Sequence, residues 1–90
     1  MIAVEWDEAK RRANLAKHGL DFRDVPFMDW DSAVIIPDLR FDYPEPRHWA
    51  FAMLSGRLHM AAFCYRGAKI RVISFRKAND KEVKLYGKKK

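Results

Sequence analysis

Apolar residues recur at two periods along the chain. Behind Asp7, whose side chain suits a helix N-cap, Ala9, Ala13, Ala16 and Leu20 follow at helical spacing, and Gly19 offers the left-handed residue that ends a helix. The spacing predicts a first helix over about Glu8 to His18 with those alanines facing inward. Its other faces carry Lys10, Arg11, Arg12 and Lys17, either a solvated surface or a contact for phosphate or an acidic partner. In DFRDVPF, Asp21 and Asp24 resemble a capping box and Pro26 limits the element to one or two turns. SAVIIP reads as a short β-branched strand stopped by Pro37, and PDLRFDYPEPR, with its three prolines, as a loop.

From Arg47 onward the period falls to two. HWAFAML and RLHMAAFCYR flank Ser55-Gly56, a pair suited to a tight hairpin, and AKIRVISF completes a meander after the turn at Gly67. Asn79 and Glu82 have capping-box spacing, with Val83 and Tyr86 as the inward face of a last helix. The predicted order is ααββββα. That is an α+β fold in one domain, residues 1–90, with N-terminal helices, a C-terminal helix and an antiparallel sheet of about four strands. Strict alternation would put Arg71 on one face with Ile73 and Phe75, and Arg76 on the opposite face with Ile70, Val72 and Ser74.

Charge narrows the partners. Eighteen Lys and Arg against twelve Asp and Glu give a net charge of +6, which favours nucleic acid or an acidic protein. Uncharged runs such as Leu58 to Tyr65 fall far short of the roughly 20 apolar residues that span a membrane, so no membrane partner is expected. The opening MIAVEWDEAK lacks the basic and apolar regions of a signal peptide, and Cys64, the only cysteine, allows no internal disulfide; both suit the cytoplasm. Within FCY, Cys64 reads as a buried structural thiol. The terminal Lys88 to Lys90 run reads as a solvated tail able to add nonspecific grip on phosphates.

Candidate chemistry is sparse. His18, His48 and His59 with one cysteine form no zinc-like spacing, and there is no phosphate-cradling glycine loop, GxSxG elbow or dinucleotide fingerprint, so no metal and no cofactor are expected. The remaining Arg, Lys, His and carboxylates suit RNA cleavage, because RNA carries its own 2′-hydroxyl nucleophile and the protein need only move protons and stabilise phosphate charge. His18, at a helix C-terminus that favours imidazolium, is either a proton donor or phosphate ligand or simply a cap. Arg47 opens a strand after the proline-rich loop, with an ion pair to Glu45 as the alternative. His48, His59, Trp6, Trp30, Trp49 and Phe75 have packing as the competing role to chemistry or base stacking.

WDEAKRRANLAKHGLDF, from Trp6 to Phe22, resembles the opening of BrnT-type toxins; ISFRKANDKE is similar to that family's ending, and Arg47 after Glu45 to its loop arginine. Pro46 and Phe75 depart from the pattern. The resemblance implies a RelE-like fold and a ribonuclease that halts growth by cutting RNA. It also implies a ribbon-helix-helix antitoxin as partner, with operator DNA read only through that antitoxin. It points to Lys10, His18, Arg47 and Arg76, with Lys77 nearby. The combined expectation gives catalysis to His18, Arg47 and Arg76, and RNA binding to Lys10, Lys17, Arg66 and Lys77. Arg76, held at a strand end before the helix start at Asn79, is expected to face a phosphate near Arg47; against a buried carboxylate it would be structural. A non-catalytic nucleic-acid-binding module and an interaction protein for an acidic partner remain alternatives.

Overall fold

The computed structural model describes residues 2–87, so the Lys88 to Lys90 tail lies outside the described residues. Helix α1, Glu8–His18, has the predicted bounds: the Asp7 carboxylate accepts from the Lys10 N–H at 3.1 Å, and Gly19 at φ 72 closes the helix. Its inward face differs from the expected alanine stripe. Ala9, Ala13 and Ala16 are exposed, whereas Arg11 and Asn14 are buried.

The reason is where the helix lies. A five-stranded sheet runs in the order β1-β5-β4-β3-β2, formed by β1 Val4–Trp6, β2 Val34–Pro37, β3 His48–Leu54, β4 Arg57–Arg66 and β5 Lys69–Lys77. Short β1 pairs in parallel with β5 from Ile70 to Val72 only, leaving the rest of that edge open. There the Asn14 amide accepts from the Phe75 N–H at 3.0 Å and donates to the Phe75 carbonyl at 2.8 Å and the Leu20 carbonyl at 3.1 Å. One side chain stands in for a neighbouring strand, satisfying buried backbone groups that would otherwise be unpaired. Arg11 is held by Glu8 and Asp21.

The expected antiparallel meander is present as β2 to β5, but the sheet is mixed because of β1, whose three residues are too few to show a period. The second expected helix is a 3-10 helix, Phe22–Phe27; Pro26 inside it lacks the N–H an α-helix would need. A further 3-10 turn, Trp30–Ser32, precedes β2. Ser55 and Gly56, at φ 51 and 77, make the two-residue turn whose handedness matches strand twist. Helix α2, Asp80–Tyr86, opens with the expected Asn79/Glu82 capping box.

Between β4 and β5 the register shifts: Phe63 faces Val72 but Ala62 faces Ser74, so Ile73 is an extra residue. This bulge reverses the alternation. Phe75 joins Ile70 and Val72 in the core beneath Phe22 and Val25, while Arg76, opposite Met60, returns to the side of Arg71 and Ile73. The expected separation of Arg71 and Arg76 onto opposite faces is therefore corrected. On this second face Phe51, Leu58, Met60 and Ala78 form a smaller cluster, closed at one end where Tyr86 of α2 stacks on Phe51 at 4.3 Å. Among the described residues no helix is long and apolar enough to cross a membrane.

Candidate nucleic-acid interface

The end of this face away from α2 is open and basic. Arg47 leads into β3, Arg66 ends β4, Arg71 lies opposite Cys64 near the start of β5, and Lys10 reaches in from α1. They line a cavity of about 220 Å³ together with Tyr43, Glu45 and Cys64. Beside it, a hollow of about 230 Å³ is lined by Lys10, Lys17, His18, Ile73 and Ser74. Lys10 and Ile73 border both, so the two hollows adjoin in one basic groove region.

Not all of its charge is engaged. Arg66 pairs with Glu45, and Arg71 with Glu5 at 3.0 Å. Both pairs are partly exposed and so are held weakly against solvent. Among the described residues, Lys10, Lys17, His18 and Arg47 have no carboxylate within ion-pair distance, and Arg47 lies over the Tyr43 ring at 4.2 Å rather than on Glu45. Such a cluster with loosely held counterions is what a phosphate can displace into. At its floor, burial pushes the Cys64 thiol up, and the Glu45 charge adds to this, so the thiol stays protonated and inert.

Arg76 sits elsewhere on the face. Its row, Phe51–Met60–Arg76, is four residues along β3 from Arg47 and two strands across, which separates the Cα atoms by on the order of 15 Å. Its guanidinium is bidentate on Glu82, at 2.8 and 2.9 Å, with the glutamate side chain 12% exposed. That pair raises Arg76 and holds the Glu82 carboxyl below its ordinary range. Lys77 is on the other side, in a hollow with Leu20, Leu54 and His59. The structure thus brings Lys10, Lys17, His18, Arg47 and Arg66 together and leaves Arg76 and Lys77 outside.

The aromatic candidates divide as well. Phe75 is fully buried, Trp6 packs edge-on to Phe22, and Trp30 donates to the Val25 carbonyl at 2.8 Å. Trp49 lies on the basic face beneath Arg40, whose guanidinium is 4.7 Å above its ring. His48 stacks on Phe63, and buried His59 packs against Phe75. Arg71, Glu45 and Asp38 were not singled out as site residues from sequence. Arg71 was set aside because alternation put it on the face opposite Arg76; the bulge at Ile73, which no sequence signal announces, brings Arg76 round to the face of Arg71, whereas the Asp-x-Arg spacing of Asp38 and Arg40 was a readable sign of a clamped loop.

The family model described as "Ribonuclease toxin, BrnT, of type II toxin-antitoxin system" matches residues 6–82. The chain belongs to the BrnT toxin family. BrnT membership brings with it a ribonuclease toxin's RNA substrate and an antitoxin partner. The match runs from Trp6, just before α1, to Glu82, the partner of Arg76, so both ends of the basic face fall within it. Comparison of the chain with curated proteins returned no match. Of the two departures from the BrnT pattern, Phe75 fills the core rather than offering a stacking surface, and exposed Pro46 stiffens the approach to Arg47.

Proposed function

We propose that this protein is a metal-independent endoribonuclease that binds the scissile phosphate between Lys10, Arg47, Arg66 and Arg71. The carrying observation is the pair of adjoining hollows, sharing Lys10 and Ile73, that sets those cations beside Lys17 and His18. An incoming phosphate competes with Glu45 for Arg66 and frees the only carboxylate among the cavity's lining side chains to take the proton of the 2′-hydroxyl. The 2′-oxygen attacks phosphorus, the bond to the 5′-oxygen breaks, and His18 or a water it orients supplies that oxygen's proton. The products are a 2′,3′-cyclic phosphate and a 5′-hydroxyl. The arginines stabilise the charge on the phosphorane oxygens.

The same reading extends to the partner. A ribbon-helix-helix antitoxin with an acidic segment covers the groove and alone reads operator DNA, and the toxin acts in the cytoplasm as one RelE-like domain. The mixed sheet with its flanking helices and the +6 charge support this. The test is incubation of purified protein with RNA in EDTA, with and without the product of the neighbouring reading frame. Cleavage to cyclic-phosphate ends, abolished by that partner, is expected. Salt-sensitive RNA binding without cleavage would overturn the catalytic reading in favour of a binding module.

A further inference from the structure

The loop between β2 and β3 is organised around one carboxylate. Asp38, with its side chain 1% exposed, accepts from Arg40 Nε at 2.9 Å, Arg40 Nη2 at 2.9 Å, the Arg40 backbone N–H at 3.2 Å and the Tyr43 hydroxyl at 3.0 Å. Its own backbone N–H donates to the Arg47 carbonyl at 2.9 Å. The Tyr43 ring in turn lies under the Arg47 guanidinium. Arg47 is therefore held at both ends, its backbone by Asp38 directly and its side chain through the tyrosine that Asp38 orients.

We infer that Asp38 is the positioning residue of the phosphate site, fixing Arg47 through Tyr43 and the backbone. The inference rests on the proposed ribonuclease reading. A buried carboxylate saturated by donors from its own loop is a rigid reference point, whereas a long arginine side chain on a proline-rich loop would otherwise sample many rotamers. Misplacement of an oriented catalytic cation by about 1 Å can cost on the order of 100-fold in rate. Arg40, the other group that Asp38 fixes, is set over Trp49, two residues along the chain from Arg47.

The test is a double-mutant cycle on the full chain with a single-stranded RNA oligonucleotide, supported by NMR titration with inorganic phosphate. Asp38→Asn is expected to lower kcat at least tenfold with KM changed less than threefold. Tyr43→Phe, which keeps the ring under Arg47 and removes only the hydroxyl, is expected to lower kcat severalfold without shifting Tm appreciably. In an Arg47→Ala background both changes should add nothing, to cleavage or to phosphate affinity. The same fold-loss with and without Arg47, or full kcat in Tyr43→Phe, would overturn the inference. Coupling seen in phosphate affinity with no cleavage by the parent protein would leave Asp38 in its role and remove the ribonuclease reading instead.

Discussion

At one end of the sheet face Lys10, Arg47, Arg66 and Arg71 surround an open cavity; at the other Arg76 lies against Glu82 beneath α2. The residue types are nearly the same and the hold of their counterions is different. Glu82 is fixed twice over, by Arg76 and by the capping box, in which it accepts from the Asn79 N–H at 2.9 Å. It cannot leave without uncapping the helix. Glu45 sits on a loop and is half exposed, so its arginine can exchange partners. On the proposed reading, what separates a cation of the fold from a cation of the ligand is how firmly its counterion is held, not its charge or its place at a strand end.

Substitutions can break that contrast at either end. The largest effect is expected at the open end: Arg47→Ala should lose about 3 kcal/mol of transition-state stabilisation, a rate loss of roughly 100-fold, with little change in Tm. RNA cleavage in EDTA alongside a thermal melt checks both halves; a variant as active as the parent would remove Arg47 from the site. Asn14→Ala tests the edge that carries α1 and hence Lys10 and His18. It leaves the Phe75 N–H and carbonyl and the Leu20 carbonyl without their partner, so urea denaturation should show a loss of about 2 to 3 kcal/mol. Arg76→Ala should reverse the pattern of Arg47→Ala. About 2 kcal/mol of stability goes with the bidentate pair, while cleavage per folded molecule is kept. Loss of activity at full stability would return Arg76 to the catalytic set.

Much of the fold was legible because it rests on local signals: Asp7 and Gly19 bound α1, Ser55-Gly56 turns the hairpin, and Asn79 with Glu82 starts α2. What was hidden depends on non-local pairing. Three-residue β1 has no pattern of its own and exists because β5 offers it an edge; with it comes the placement of α1 on Asn14 rather than on alanines. The bulge at Ile73 reverses every face assignment after it, so Arg76, favoured by the family resemblance, shares a face with Arg71, which strict alternation had set apart from it. At the site, the basic residues flanking the groove were readable as types. Their grouping was not, because it follows from β4 and β5 register and from a loop clamped by Asp38.

The smallest effect separates the two ends by titration. Arg76 holds the Glu82 carboxyl below its ordinary value of 4.5 in the folded protein. A carboxyl with a depressed folded pKa contributes stability that is complete above the unfolded value and is lost as pH falls through the folded one. The gap in unfolding free energy between the parent and Arg76→Ala should therefore stay constant while pH is above the ordinary carboxyl range, then narrow as pH falls toward the lowered folded value. Glu8, held down to about 2 chiefly by Arg11, and Asp38, held low chiefly by Arg40, destabilise both proteins alike in acid and cancel in the difference. Urea melts at several pH values measure it, with Glu82→Gln as the control that has no carboxyl to titrate. A gap that stayed constant through the whole acid range in which carboxyls titrate would mean that Arg76 stabilises the fold through its packing rather than its charge, and the firmly held counterion could not then be what distinguishes it from Arg47.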